Sequence, residues 1–321
     1  MSLGSLTFSR LAWLAPLAAL ASAPAGAEPH GKDGASKAAP APAARAEPRP
    51  ALWLLADDDT RIYMFGTIHA LPPGFRWRSA ALDKAVGEAA ELVVETYEAP
   101  DSEANPDDLA GLEGFFGADK VPILKRVPRS KRKALKAAIA ASGVPAPVFD
   151  KMHSWAAAMT LGIAQMMAEY GIDDPDQAPG VEDALEAHFR GAGKPILSVE
   201  DGDMVLASMS ALPEKVQTEL LIEAIAPAAG EDGVAGAPGA VEADWVAGRA
   251  EALDLALEPG FPPAMFDVLV RRRNAAWTLW LEERLKKPGT LLFAVGAGHL
   301  AGRESVQAML ASRGLSVKRI D

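Results

Sequence analysis

The sequence predicts an α/β fold: a central mixed sheet with parallel βαβ units, flanking helices and a largely helical middle segment. Three observations predict it. Short apolar runs at 51–56, 61–66, 91–95, 195–200, 290–295 and 315–320 have the length and composition of strands. Helix-forming segments fill most of the chain between 91–95 and 290–295. Strand, helix and strand follow one another near both ends, the order of parallel crossover units.

Each element has a local reason. The runs 51–56 and 61–66 are separated by Asp57-Asp58-Asp59-Thr60 and form a hairpin. The three aspartates lack the spacing and distal Glu of a calcium loop and read as a solvated turn. After Pro72-Pro73-Gly74, Ser79 caps a helix through about Ala90. The next run, 91–95, is a buried strand, so the strands ending near His69 and Glu95 run parallel. A basic, Ala-rich helix is expected at 130–142 and an apolar one at 153–170. The latter carries Trp155, Met159, Ile163, Met166 and Met167, a set more typical of a core than of a ligand groove. His153 stands at its start, as a cap. His188 lies among charged residues on a helix at 181–191 and reads as a surface residue.

The run 195–200 is a strand ending in Glu200, and helices follow to 226. Residues 227–239 form a long Gly/Pro/Ala loop. Helices are expected at 240–256 and 263–286, the second carrying Arg271-Arg272-Arg273-Asn274, Trp277 and Trp280. The run 290–295 is a buried strand with Gly296-Ala297-Gly298-His299 as its exit turn. A helix at 303–313 and a strand at 315–320 close the chain.

Composition bounds the function. With 49% hydrophobic and 23% charged residues, the chain can build a sizeable core. A net charge of −11 repels phosphate backbones, which argues against a nucleic-acid partner. There are no cysteines, which excludes disulfide scaffolds, thiolate zinc sites and Cys nucleophiles. Arg10, the apolar stretch 11–23 and Ala25-Gly26-Ala27 form a secretory signal over 1–27, with Glu28 the expected mature N-terminus. The apolar stretch is too short to span a membrane comfortably, and no other run is long enough. The mature protein is therefore expected in the periplasm or secreted, with no stable membrane span. Residues 28–50 are Pro/Ala-rich, read as a flexible tether containing His30, and leave 51–321 as the folded domain.

The chemistry converges on strand exits. His69, Glu95, Glu200 and His299 each follow a strand, where open α/β sheets place their sites. Glycines at 66, 296 and 298 permit tight turns there. Imidazoles with carboxylates suit a divalent transition metal, which can activate water. Arg273 is placed to offset oxyanion charge, and Asn274 to position a ligand or water. Taken singly, a histidine at a strand end is commonly a structural one. Two G-x-x-H copies, each closing a strand and opening a helix, are more informative. The run Gly296 to Ala301 also matches a dinucleotide fingerprint, but no second half of such a fold follows it. H-E-x-x-H, the phosphate-binding P-loop and G-x-S-x-G are all absent.

At these residues the chain resembles the TraB/GumN family. GTIHALP at 66–72, ELVVET at 91–96, RRRN at 271–274 and AVGAGHLAG at 294–302 carry the resemblance, which covers about 51–321. That family in turn resembles the Tiki metalloproteases and, more distantly, the erythromycin-esterase and ChaN-like proteins. The resemblance implies an α/β fold with a helical middle. It matches His69 and His299 to the two motif histidines, Glu95 to the family glutamate and Arg273-Asn274 to a recurrent pair. Glu200 stands in Ser198-Val199-Glu200-Asp201, where Gly-Leu-Glu-Thr is usual. Gly180-Val181-Glu182 departs from a usual Gly-x-Asp. Two readings follow. The first is an exported metal-dependent hydrolase acting on a peptide or small molecule. In it His69, Glu95 and His299 hold manganese, cobalt or zinc, or one glutamate acts as general base, and Glu95, Glu200, Arg273 and Asn274 serve the chemistry. The second is a non-catalytic envelope protein that binds a metal, haem or a small ligand.

Overall fold

The computed structural model describes residues 47–98, 114–117, 121–172, 179–226, 239–258 and 260–321. The expected export signal, most of the tether and residues 227–238 of the Gly/Pro/Ala loop lie outside them. Six strands form one sheet: β1 (Leu52–Ala56), β2 (Thr60–Thr67), β3 (Glu91–Val94), β4 (Ile196–Ser198), β5 (Gly289–Gly296) and β6 (Val317–Arg319), in the order β4-β3-β5-β2-β1-β6. β1 and β2 form the expected hairpin. β2, β5, β3 and β4 run parallel, and β6 pairs antiparallel with β1, so the sheet is mixed. β5, from the far end of the chain, lies between β2 and β3.

The parallel strands are nearly continuous apolar runs because both faces are covered. Their residues alternate between two cores. Tyr63, Phe65, Leu92, Val94, Leu292 and Ala294 face helices Ala80–Glu88 and Val181–Gly191. Ile62, Met64, Val93, Leu291, Phe293 and Val295 face helices Arg272–Leu285 and Val306–Ser312. The helical middle builds a separate core around Phe149, Trp155, Leu161, Met209 and Leu221.

Local signals set most helix ends. Ser79 caps the first helix, its side chain accepting from Leu82 N at 3.2 Å. Helix Ser154–Tyr170 ends at Gly171 in the left-handed region, φ 64°. His153 does occupy its N-cap position, though its side chain makes no capping bond. Two expected helices are interrupted. The expected 240–256 helix stops at Val246, where Gly248 turns at φ 73°, and two 3₁₀ turns continue it. The expected 263–286 helix contains a π turn at Asp267–Arg271, in which Arg272 N bonds Asp267 O. Arg49 N donates to Val246 O at 2.8 Å and Pro50 is buried, so the chain is held slightly before residue 51.

Candidate functional site

Registration of the parallel strands brings the site residues together. β2 and β5 pair Gly66 with Val295 and Thr67 with Gly296, so both G-x-x-H turns leave the same end of the sheet side by side. A Cβ on Gly66 would lie 2.9 Å from Ala297 Cα, so the turns pack backbone to backbone and the glycine is required. β3 pairs Val94 with Ser198, and Glu200 N donates to Glu95 O at 3.2 Å, which sets the two glutamates adjacent. Helix Arg272–Leu285 then lays Arg273, Asn274 and Trp277 over that end.

Arg273 is the hub of one cluster. Its Nε donates to both Glu200 carboxylate oxygens at 3.1 and 3.0 Å. Nη1 donates to Leu269 O at 3.0 Å and to His299 Nε2 at 3.1 Å. Nη2 donates to Glu95 Oε2 and Glu200 Oε1. A guanidinium has five N–H donors, and all are committed within the protein. Arg273 therefore has none free for a substrate oxyanion, the role expected of it from sequence. Its charge lies 4.8 Å from the Trp277 ring centroid, and Trp277 Nε1 donates to Glu200 Oε2 at 3.0 Å.

His299 is equally committed. Arginine cannot accept, so Nε2 is the accepting nitrogen and Nδ1 carries the proton, donated to Asn274 Oδ1 at 2.6 Å. Asn274 Nδ2 donates to His299 O at 3.2 Å and to Glu304 O at 2.7 Å. Asn274 thus fixes the His299 tautomer and orientation, and its amide hydrogens are not left for a ligand or water. Burial and the neighbouring Arg273 charge, partly offset by Glu95, hold the His299 pKa down at about 3. Burial would raise Glu95, but Arg273 outweighs it, aided by His299, His69 and the Gly296 N–H, and brings it to about 2. Burial pushes Glu200 up, and Arg273 offsets this only in part.

His69 differs. Its Nδ1 lies 2.9 Å from Glu182 Oε1, an ion-pair distance without aligned hydrogen-bond geometry. Among the described residues, its buried Nε2 and Glu182 Oε2 have no hydrogen-bond partner. Thr67 Oγ1 donates to Glu182 Oε1. The loop before helix Val181–Gly191 is pressed onto the motif: Val181 N donates to Ile68 O at 2.9 Å. A Cβ on Gly180 would lie 2.2 Å from His69 O. Burial disfavours a charged His69 ring, but Glu182 overcomes it, so the pKa is raised above 6.5. From the sequence Thr67 has no assigned role, and Glu182 is named only within a segment that departs from the family pattern. The Gly180-Val181-Glu182 segment was the available signal for Glu182, and its mismatch with the family pattern obscured it.

The donor atoms do not fit one divalent ion as they stand. Both His299 nitrogens are engaged, and Glu95 is engaged by Arg273 and by Gly296 N, which donates to its Oε1 at 2.7 Å. Among the described residues no three His, Asp or Glu side chains are grouped to hold a metal ion. Of the expected ligand set, Glu95 and His299 meet around the Arg273 guanidinium, while His69 leaves the same end of the sheet and faces Glu182.

Comparison with known proteins gives a family. The family model described as the TraB/PrgY/gumN family matches residues 51–319. The uncharacterized protein YbaP of Escherichia coli K12 is 24% identical over 279 residues, covering 81% of this chain and 92% of that protein. YbaP of Shigella flexneri matches with the same identity and coverage. No solved structure matches.

Proposed function

The chain belongs to the TraB/PrgY/gumN family, and from that premise we propose that it is an exported hydrolase whose working base is His69. One observation carries the reading: His69 Nε2 is buried, unpartnered among the described residues, and backed by Glu182 at Nδ1. Nucleophile or water activation needs this pattern, a free ring nitrogen with the opposite nitrogen set against a carboxylate. In the forward step a water, positioned against an acyl or peptide carbonyl, gives its proton to Nε2. Glu182 stabilises the imidazolium that forms. The same nitrogen then returns the proton to the leaving group. Glu95 and Arg273 hold the Gly296–His299 turn rather than touching the substrate.

A metal-dependent variant is a second reading, favoured by the same atom. Metal-ligating histidines are also held by a carboxylate on the opposite nitrogen. It requires further ligands, which Arg273 now engages, and no step is derived through it. Export is read from residues 1–27. N-terminal sequencing of the mature protein is expected to begin near Glu28, and recovery of the chain with an intact Met1 from the soluble cytoplasm counts against export.

The test of the chemistry is a peptide and ester hydrolysis screen with and without EDTA. Turnover that survives EDTA and disappears in His69→Ala supports the proposal. Turnover restored only by manganese, cobalt or zinc supports the metal-dependent variant. A ligand retained without any turnover supports a binding protein. A base works when neutral, so kcat/KM is expected to rise with pH through the His69 pKa. Glu182→Gln removes the charge that raises that pKa, so the profile shifts acidward by about one to three pH units.

A further inference from the structure

A buried cluster of two glutamates and a neutral imidazole ordinarily needs a cation. Arg273, Glu95 and His299 side chains are only 5%, 7% and 3% exposed, so bulk water does not supply the compensation. The position that a divalent ion would take among Glu95, Glu200 and His299 Nε2 is filled from within the chain. The Arg273 guanidinium contacts all three groups, and His299 Nε2 lies 3.8 Å from Glu95 Oε1 on the far side of the same gap. The backbone is shaped to put it there. The π turn at Asp267–Arg271 leads into helix Arg272–Leu285, of which Arg273 is the second residue, and the Leu269 carbonyl within the turn accepts from Arg273 Nη1. Asn274 forces the His299 tautomer that presents a lone pair, rather than an N–H, to Arg273.

We propose that Arg273 is the resident cation of this cluster, standing in place of a divalent metal at Glu95, Glu200 and His299. Three groups that resemble a metal-binding set are thereby a preorganised scaffold, and the metal affinity latent in them is masked. The two motif histidines are then divided in role. His69 keeps an open nitrogen, while His299 positions Arg273. The inference concerns cation occupancy and does not depend on hydrolysis, so it stands or falls separately from the proposed activity.

The test uses the full mature chain without a His-tag, stripped with EDTA and titrated with Co²⁺, Mn²⁺ and Zn²⁺ by calorimetry and thermal unfolding. Wild type is expected to bind no stoichiometric metal at this cluster, with an unfolding temperature unmoved by EDTA. Arg273→Ala vacates the position. It is expected to melt lower, to regain temperature with Co²⁺ or Zn²⁺, and to develop the absorption bands of imidazole-bound cobalt. Adding His299→Ala should weaken that new affinity at least ~10-fold. Should the alanine variant fail to fold, Arg273→Gln removes the charge with less loss of volume and is expected to show the same metal-dependent gain in unfolding temperature. Arg273→Lys, which keeps the charge, is expected to show none. A folded Arg273→Gln protein without that gain also overturns the proposal. The proposal is overturned if wild type takes up one equivalent of Co²⁺ or Mn²⁺ that His299→Ala abolishes. It is equally overturned if a folded Arg273→Ala protein shows no metal-dependent shift.

Discussion

Removing the His299 imidazole strands several buried groups at once. Arg273 Nη1 loses an acceptor, Asn274 Oδ1 loses a donor, and Trp277 loses a ring whose centroid lies 4.4 Å from its own. Buried polar atoms left without partners cost free energy in addition to the lost packing. His299→Ala is therefore expected to destabilise by about 2–4 kcal/mol in urea unfolding. His69→Ala breaks no aligned hydrogen bond and is expected to cost well under half of that. Equal losses would show that the two histidines share one role. The candidate residues were legible because each closes an apolar run or recurs in a G-x-x-H pattern. Their connections were not. Sequence spacing cannot show that a guanidinium contacts two carboxylates and an imidazole from other elements, so it points Arg273 and Asn274 toward a substrate while their donors are engaged within the protein.

At the scale of elements, the approach of one loop to one turn sets the reactive pair. Gly180 has an ordinary extended φ of −78°, so a side chain there is excluded by space rather than by torsion. Gly180→Ala would force the loop off His69 O and carry Glu182 away from His69 Nδ1. The expected result is a folded protein with most activity lost and a His69 pKa lowered toward 6.5, read by NMR titration of the ring. An unchanged His69 pKa would mean that the loop does not place Glu182. Helix starts were legible where a capping side chain marks them, as at Ser79. The breaks inside the later helices were less so. A glycine such as Gly248 reads as tolerable in a helix until the fold brings Arg319 Nη2 and Arg49 O to 2.5 and 2.6 Å of where its Cβ would be. The π turn before Arg273 likewise has no local signature, since the tertiary contacts of Arg273 accompany it.

At the scale of the molecule, the parallel sheet was legible from runs buried on both faces. The insertion of β5 between β2 and β3 was not, because strand order depends on packing among distant segments. That insertion creates the buried titratable cluster, and the cluster gives the whole fold a pH dependence whose sign can be worked out. His299 has its pKa depressed to about 3 in the folded state. Between there and 6.5 the unfolded chain binds a proton that the folded one refuses, so stability falls as pH falls through this window. Glu95, lowered to about 2, adds to the same acid loss below about 4.5. Glu200 is raised and opposes it just above 4.5, since its folded form takes up a proton first. His69 is raised, so its contribution is full below 6.5 and is lost as pH climbs through its folded value. The expected stability curve peaks near pH 6.5, falls on the acid side by up to about 1.4 kcal/mol per unit and declines gently on the alkaline side. Urea unfolding from pH 4.5 to 8 measures it. His299→Gln should lower the whole curve yet flatten its acid limb, because glutamine does not titrate. An acid limb of unchanged slope in that variant would remove His299 as its source.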